Sequence, residues 1–478
     1  MIFQNKYKNA LIAVLMLSGL FFEKSYAQQL IVKPGKTIIE TDSGDPFLWI
    51  GDTAWELFHV LDKDEVIFYL DNRQAKGFTV IQAVILPMGP VDRPNAYGET
   101  AFTDGDPSKV NERYFEFIDF VVSEVEKRGM HMGLLPTWAN NVIDRGGNGA
   151  FFNPEKAAAY GQFLASRYKN NDVIWILGGD RNVHTPEEHE IWVAMANGLQ
   201  AGDDGRNLIS YHPTAPISSH FWFHNEPWLS FNILQSGHFE KFNTAVYEFG
   251  EVYQQLDPLK PFVNAEPAYE DIPVLFWKYT DFAAFGKKKE DVIGENGLII
   301  DKDFYPHGIF DDYDVRMEAY WTFFAGGAGY TYGNNAVWQM YKPGSRYTVP
   351  CLFFWDEALD RPGADDMRHV RDLFTRYPLG SFHVDQSVIY GTNFTDEDNI
   401  RAVVGNDHSF VLAYLHKGQQ VQLQLSKLRR PGTASWFNPR TGVMDEIGPI
   451  PNTGLREFNP PGEAGAHGND WILVLAAQ

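Results

Sequence analysis

Between residues 45 and 377, eight short apolar runs alternate with longer amphipathic stretches. A strand that is apolar along its whole length has to be covered on both faces, which is the condition of a parallel sheet wrapped by helices. The runs are FLWIG (47–51), TVIQAVIL (79–86), MHMGLLP (130–136), VIWILG (173–178), LISYH (208–212), FNILQ (231–235), PFVNA (261–265) and GYTYG (329–333). Helical patterns fall between them at 64–76, 112–128, 154–168, 187–199, 240–254 and 313–324. This rhythm predicts an α/β chain built on a (β/α)8 TIM barrel. An open doubly wound sheet is the rival; it would place a glycine-rich phosphate loop after the first strand, where GDTAWE stands instead. Residues 286–306 read as a long loop over the strand ends, where long loops are often functional.

After Pro378 the rhythm changes to SVIYGTN, IRAVVGN, SFVLAYLH, QVQLQLS, TASWFNP and DWILVLAA, short alternating runs with no helix between them. That pattern predicts a small C-terminal antiparallel β-sandwich. The expected division is a signal peptide at 1–27, a catalytic barrel at 28–380 and the sandwich at 381–478. The signal reading rests on Lys6 and Lys8, the apolar stretch from Ala10 to Phe22, and the small-x-small site Ser25-Tyr26-Ala27. It predicts an exported product, periplasmic or secreted, cleaved near Ala27. No later segment approaches the ~20 apolar residues of a membrane span. Cys351 is the single cysteine, so no internal disulfide can form and stability has to come from packing. A composition 44% hydrophobic and 15% aromatic excludes disorder. The net charge of -22 disfavours nucleic acid and anionic membranes as partners, while leaving room for an acidic polysaccharide met by local basic residues.

The run VIWILGGDRN stops at Gly178 and Gly179 and then presents Asp180; PFVNAEPAYE does the same with Glu266. In a barrel the C-terminal strand ends converge on one face, so an acid after the fourth strand and one after the seventh can meet. Two carboxyl groups flanking a glycosidic bond are what glycoside cleavage requires, and a retaining enzyme holds them about 5–5.5 Å apart. Asp180, beside Arg181 and Asn182, is assigned as acid/base, and Glu266 as nucleophile. Structural duties are the alternative for each: a helix cap for Asp180, a rim salt bridge for Glu266.

Other strand ends carry polar groups suited to binding substrate. Asp52, with Thr53, Trp55 and Glu56 behind it, either bonds sugar hydroxyls or caps the next helix. Asn140 and Asn141, His212, and Gln235 with His238 belong to the same expected face. Trp55, Trp138, Trp222, Trp228, Trp277 and Trp338 lie in or beside strand-end loops, where one or two of them would stack on a sugar ring. The run SSHFWFHNEPW (218–228) is the richest single stretch, with Glu226 as a spare acid.

The motifs GDTAWELFH (51–59), NRQAKGFTVIQ (72–82), ILGGDRN (176–182) and WFNPRTG (436–442) occur in an order similar to that of bacterial glycoside hydrolases pairing a catalytic barrel with a small domain labelled collagen-binding. The chain resembles glycoside hydrolase family 140, the apiosidase-like enzymes of gut Bacteroidetes, from about residue 30 to its end. The resemblance implies release of apiose from pectic rhamnogalacturonan II, with Asp180 and Glu266 as the catalytic pair. Related barrels usually end the fourth strand in Asn-Glu; Gly179-Asp180 here shortens the acid by one methylene and removes an amide that often holds the sugar 2-hydroxyl. That departure is compatible with a smaller furanose ring.

Three functions follow as expectations. The first is a retaining, exo-acting glycoside hydrolase that takes apiose or a similar small sugar from a plant cell-wall oligosaccharide or polysaccharide. The second is a non-catalytic glycan-binding protein on a degenerate barrel, or a glycosidase of different sugar specificity. The third is a metallohydrolase or protease, suggested by the collagen label, against which the chain has no HExxH and no zinc-ligand spacing, so neither metal nor other cofactor is expected.

Overall fold

The structure is a computed structural model that describes residues 28–142, 150–393 and 395–478. The expected signal peptide, 1–27, lies outside the described residues. Eight parallel strands follow one another round a nearly closed barrel: β1 (Trp49–Thr53), β2 (Val80–Val84), β3 (His131–Leu135), β4 (Val173–Gly178), β5 (Ile209–His212), β6 (Asn232–Gln235), β7 (Phe262–Asn264) and β8 (Gly329–Tyr332). β8 closes back on β1 through the pairs Gly329 to Trp49 and Tyr332 to Asp52. The ladder is interrupted only between β5 and β6, where the short antiparallel strand Ile217–Ser218 pairs with β6 instead. Across that gap the Ser230 N–H donates to Ile209 O at 2.8 Å and the Ser210 hydroxyl to Phe231 O at 2.6 Å.

Seven helices cover the barrel: α1 (Lys63–Ala75), α2 (Glu112–Lys127), α3 (Pro154–Tyr168), α4 (Pro186–Asp203), α5 (Ala245–Tyr253), α6 (Asp312–Phe324) and α7 (Pro362–Arg376). Their starts are written locally. Asp62 with Glu65, Thr185 with Glu188, and Asp311 with Asp314 form reciprocal capping boxes that satisfy otherwise unpaired first-turn N–H groups. Alternation along each strand then sorts side chains. On β4, Ile174 and Ile176 enter the barrel interior, while Trp175 and Leu177 face the helices.

The same alternation relocates Asp52. β1 continues to Thr53, so Asp52 is a wall residue on the helix side and not a group at the mouth. There it meets Arg73 of α1 at 3.1 Å and accepts from the Tyr69 hydroxyl at 2.5 Å, with no exposure. The expected substrate-binding role at the cavity does not fit that placement. Burial pushes its pKa up, and the Arg73 charge and Tyr69 hydrogen bond oppose the rise.

Beyond α7 lies a separate antiparallel region. Six strands, β9 (Phe382–Val384), β10 (Arg401–Gly405), β11 (Phe410–Leu415), β13 (Gly432–Phe437), β14 (Met444–Ile450) and β16 (Trp471–Ala477), form one sheet in the order β9-β10-β11-β16-β13-β14. A ribbon of β12 (Val421–Gln424) and β15 (Leu455–Phe458) faces it. SVIYGTN, read from sequence as a strand, is instead a 3-10 turn at Gln386–Val388 followed by an isolated bridge from Ile389 to Leu423. One face of the sheet, with Val403, Leu412, Tyr414, Ile472 and Val474, joins the barrel's core; the other, with Val404, Val411, Ala413 and Leu473, packs toward the ribbon. At the seam Arg316 of α6 is buried among Asp470 at 3.0 Å, Asp366 at 2.5 Å and Asp312 at 3.1 Å.

Candidate active site

A cavity of about 550 Å³ opens at the C-terminal ends of the barrel strands. Asp180, Gln235, His238 and Glu266 reach it from β4, β6 and β7, and Trp55, Trp138, Trp277 and Trp338 contribute to its wall. The strand-end rule works for the polar groups, because Asp180, Gln235, His238 and Glu266 sit at or just past the last laddered residue of their strands.

Asp180 is delivered by an abrupt turn. Gly178, Gly179 and Asp180 have φ of 87°, 115° and 52°, three successive residues in the left-handed region. A side chain at Gly179 would put its Cβ 2.6 Å from the Trp138 ring, so the glycine is needed for conformation and for close approach together. Asp180 itself pays a strain penalty that glycine would not, a pattern found where a functional side chain is being aimed. Its carboxyl accepts from the Thr214 hydroxyl at 2.8 Å and from Gln235 Nε2 at 3.4 Å, and Arg181 lies at 3.4 Å. With 41% of the side chain open to the cavity it remains accessible. Its enclosure in the protein, and next the negative charge of Glu266, push its pKa above the usual carboxylate range; Thr214, Arg181 and His212 oppose that rise.

Glu266 experiences the opposite balance. Burial alone would raise its pKa, but hydrogen bonds and charge from His212 and His238 outweigh it and bring the value down to about 2. His212 Nε2 lies 3.0 Å from one carboxylate oxygen, and His238 Nε2 lies 3.4 Å from the other. His212 Nδ1 sits 2.9 Å from Pro213 O and 3.4 Å from the Asp180 N–H, which ties the ring to the turn that carries the other carboxyl. Its ring packs edge-on against Trp55, at 5.7 Å between centroids, and Trp138 lies 6.0 Å away. The side chain is fully enclosed, which makes it a support for Glu266 behind the cavity wall. Tyr269 stands beside Glu266 and accepts from Trp55 Nε1 at 3.0 Å. Burial, reinforced by the Glu266 charge, keeps its phenol protonated.

The remaining sequence candidates divide. Gln235 and His238 line the cavity, as do Trp55 and Trp138. Asn140 does not: it lies in the turn Ala139–Asn141, with its amide 3.5 Å from Asn141 Oδ1. Trp228 is buried in the outer core, and Glu226 lies 3.8 Å from His189, so the aromatic run 218–228 contributes nothing to the lining. Thr214 and Tyr269 escaped the sequence reading, although each lies only two or three residues past a singled-out position. Phe276 and Trp277 come from the long excursion between β7 and α6. That excursion has its own small core of Tyr279, Val292, Ile293, Ile299, Phe304 and Tyr305.

A near-closed parallel barrel with two carboxylates in one aromatic cavity is an arrangement that glycoside hydrolases use. The chain belongs to the apiosidase-like family: the model described as "Apiosidase-like, catalytic domain" matches residues 33–381. A second model, "Putative collagen-binding domain of a collagenase", matches 384–476. Among solved structures, one described as "Glycoside hydrolase" is 30% identical with a TM-score of 0.82, covering 95% of this chain and 99% of its own. A glycoside hydrolase family 5 structure from Bacteroides vulgatus is also 30% identical, with a TM-score of 0.81 and 95% of each chain covered. No curated protein matches the chain.

Proposed function

We propose that the chain is a retaining, exo-acting glycosidase that releases apiose or a similar small sugar from side chains of pectic rhamnogalacturonan II, with Asp180 as acid/base and Glu266 as nucleophile. The observation that carries the role assignment is the split in acidity. Glu266, with a pKa of about 2, is ionised at neutral pH and ready to attack, whereas Asp180 is shifted toward the protonated form that a leaving group needs. The Glu266 carboxylate attacks the anomeric carbon as Asp180 gives its proton to the glycosidic oxygen, which leaves with the bonding electron pair. Asp180, now a carboxylate, then takes a proton from the water that cleaves the glycosyl ester and frees Glu266. Support for a small sugar comes from the Gly179-Asp180 ending, which offers no amide where related barrels have one; the aromatic side chains of the cavity offer flat faces for a sugar ring to stack on.

Digestion of defined rhamnogalacturonan II side chains tests the reading. The expected product is free apiose of retained anomeric configuration, followed by NMR during the first turnovers; an inverted product removes the nucleophile assignment, and release of a different sugar removes the apiose assignment. An exported, periplasmic or secreted location belongs to the same reading, supported by the basic start, the apolar stretch and the small-x-small site within residues 1–27. N-terminal sequencing of the exported protein is expected to start at Gln28.

A further inference from the structure

We infer that Glu318, a buried carboxyl on α6 remote from the cavity wall, is a positioning residue that holds the Glu266 loop and the Gln235 to His238 loop in register. This rests on the proposed role of Glu266. Glu318 sits in mid-helix with no exposure, and one of its oxygens, Oε2, receives two donors from different strand ends. The first is the Ala268 N–H at 3.2 Å, two residues past Glu266. The second is the Ser236 hydroxyl at 3.0 Å, immediately after Gln235. The two loops are tied again from the front, because the Gly237 N–H donates to the Glu266 carbonyl at 3.1 Å. Asn264 Nδ2 donates to Ser236 Oγ at 3.0 Å, and Asn243 Nδ2 to Ser236 O at 2.8 Å, so Ser236 is fixed on three sides.

A buried acid is costly unless it is hydrogen-bonded and so does something that an apolar residue could not. Here the carboxyl oxygen satisfies a loop N–H that has no strand partner, and the same oxygen anchors the loop that presents His238 to Glu266. Burial pushes the Glu318 pKa up to about 8, while the hydrogen bonds from Ala268 and Ser236 oppose the rise. An isosteric amide can reproduce that acceptor; an aliphatic side chain cannot.

The test compares Glu318→Gln, Glu318→Ala and Ser236→Ala in the full-length protein. Hydrogen exchange by mass spectrometry reads loop order without requiring turnover, and kinetics use any pectic oligosaccharide that the unmutated enzyme cleaves. Glu318→Ala is expected to speed exchange about tenfold in peptides covering 235–238 and 264–268 while leaving β2 unchanged. Its kcat is expected to fall about tenfold or more with KM within about twofold, and Glu318→Gln to stay within about threefold of the unmutated enzyme in both readouts. Ser236→Ala, which leaves the helix acid in place, is expected to loosen 235–238 more than 264–268. If Glu318→Ala leaves both loops as protected as before, or if protection falls equally in β2, the clamp is overturned. Should Glu318→Ala fail to fold, Ser236→Ala with unchanged exchange at 235–238 overturns it equally. Absence of turnover by the unmutated enzyme would sink the proposed function alone, because the exchange measurement stands without it.

Discussion

Glu266 and Asp180 are chemically similar side chains that the protein drives in opposite directions, and the partners responsible can be removed one at a time. His212→Ala takes away the imidazole that lies 3.0 Å from the Glu266 carboxylate and helps to hold its pKa down, so that pKa rises from about 2 toward the ordinary carboxylate range. Activity that needs the ionised carboxylate is then lost earlier as pH falls, and the acid limb of the kcat/KM profile is expected to move up by at least about one pH unit. Stability carries the same sign. A carboxylate lowered from 4.5 to about 2 contributes stability that is fully present above pH 4.5 and is lost as pH falls toward 2. Asp180→Asn and Glu266→Gln are each expected to reduce kcat by about a thousandfold on natural glycosides, with the fold retained by circular dichroism. Activity within tenfold of the unmutated enzyme in either variant would remove that residue from the mechanism.

At the scale of the element, the end of β4 shows how backbone conformation and side-chain chemistry depend on each other. Gly179→Ala must accommodate a Cβ at 2.6 Å from the Trp138 ring and an unfavourable φ of 115°. The expected result is a loss of about 1–3 kcal/mol in urea denaturation and a kcat reduced by more than about tenfold, since relief of the clash moves Asp180. The eight strands were legible in sequence because a strand covered on both faces is a continuous apolar run. β4 spans Val173–Gly178, where the run VIWILG was read. β1 was misjudged at its end because Gly51 and Asp52 interrupt the apolar run without ending the strand. Pairing with β8 and β2 carries the strand on to Thr53, and that information lies in residues far along the chain.

For the whole molecule, the C-terminal sheet is a structural partner of the barrel. Arg316 with Asp470, Asp366 and Asp312 forms a buried charge cluster across the seam, and the Tyr414 hydroxyl adds a bond to Asp470 at 3.1 Å. Removing Arg316 takes the paired cation from the buried Asp366 and leaves Asp470 with Arg440 at 3.6 Å, so Arg316→Met is expected to cost about 3 kcal/mol, measured by denaturant unfolding. The WFNPRTG motif serves the same small domain. Arg440 lies over the Trp471 ring at 4.8 Å, and Asn438 accepts from the Arg440 N–H, so this motif stabilises a turn far from the cavity.

The pattern along the chain determined the barrel order, the strand ends that carry Asp180 and Glu266, and the change to antiparallel structure near residue 380, because periodicity, capping and turn chemistry are local properties. Tertiary structure alone decided that Asp52 faces Arg73, that His212 stands behind Glu266, and that Glu318 reaches two loops from the helix layer. Those outcomes depend on which side of each strand meets which helix and on how much water is left around each charge, and both are set only when distant segments close on one another.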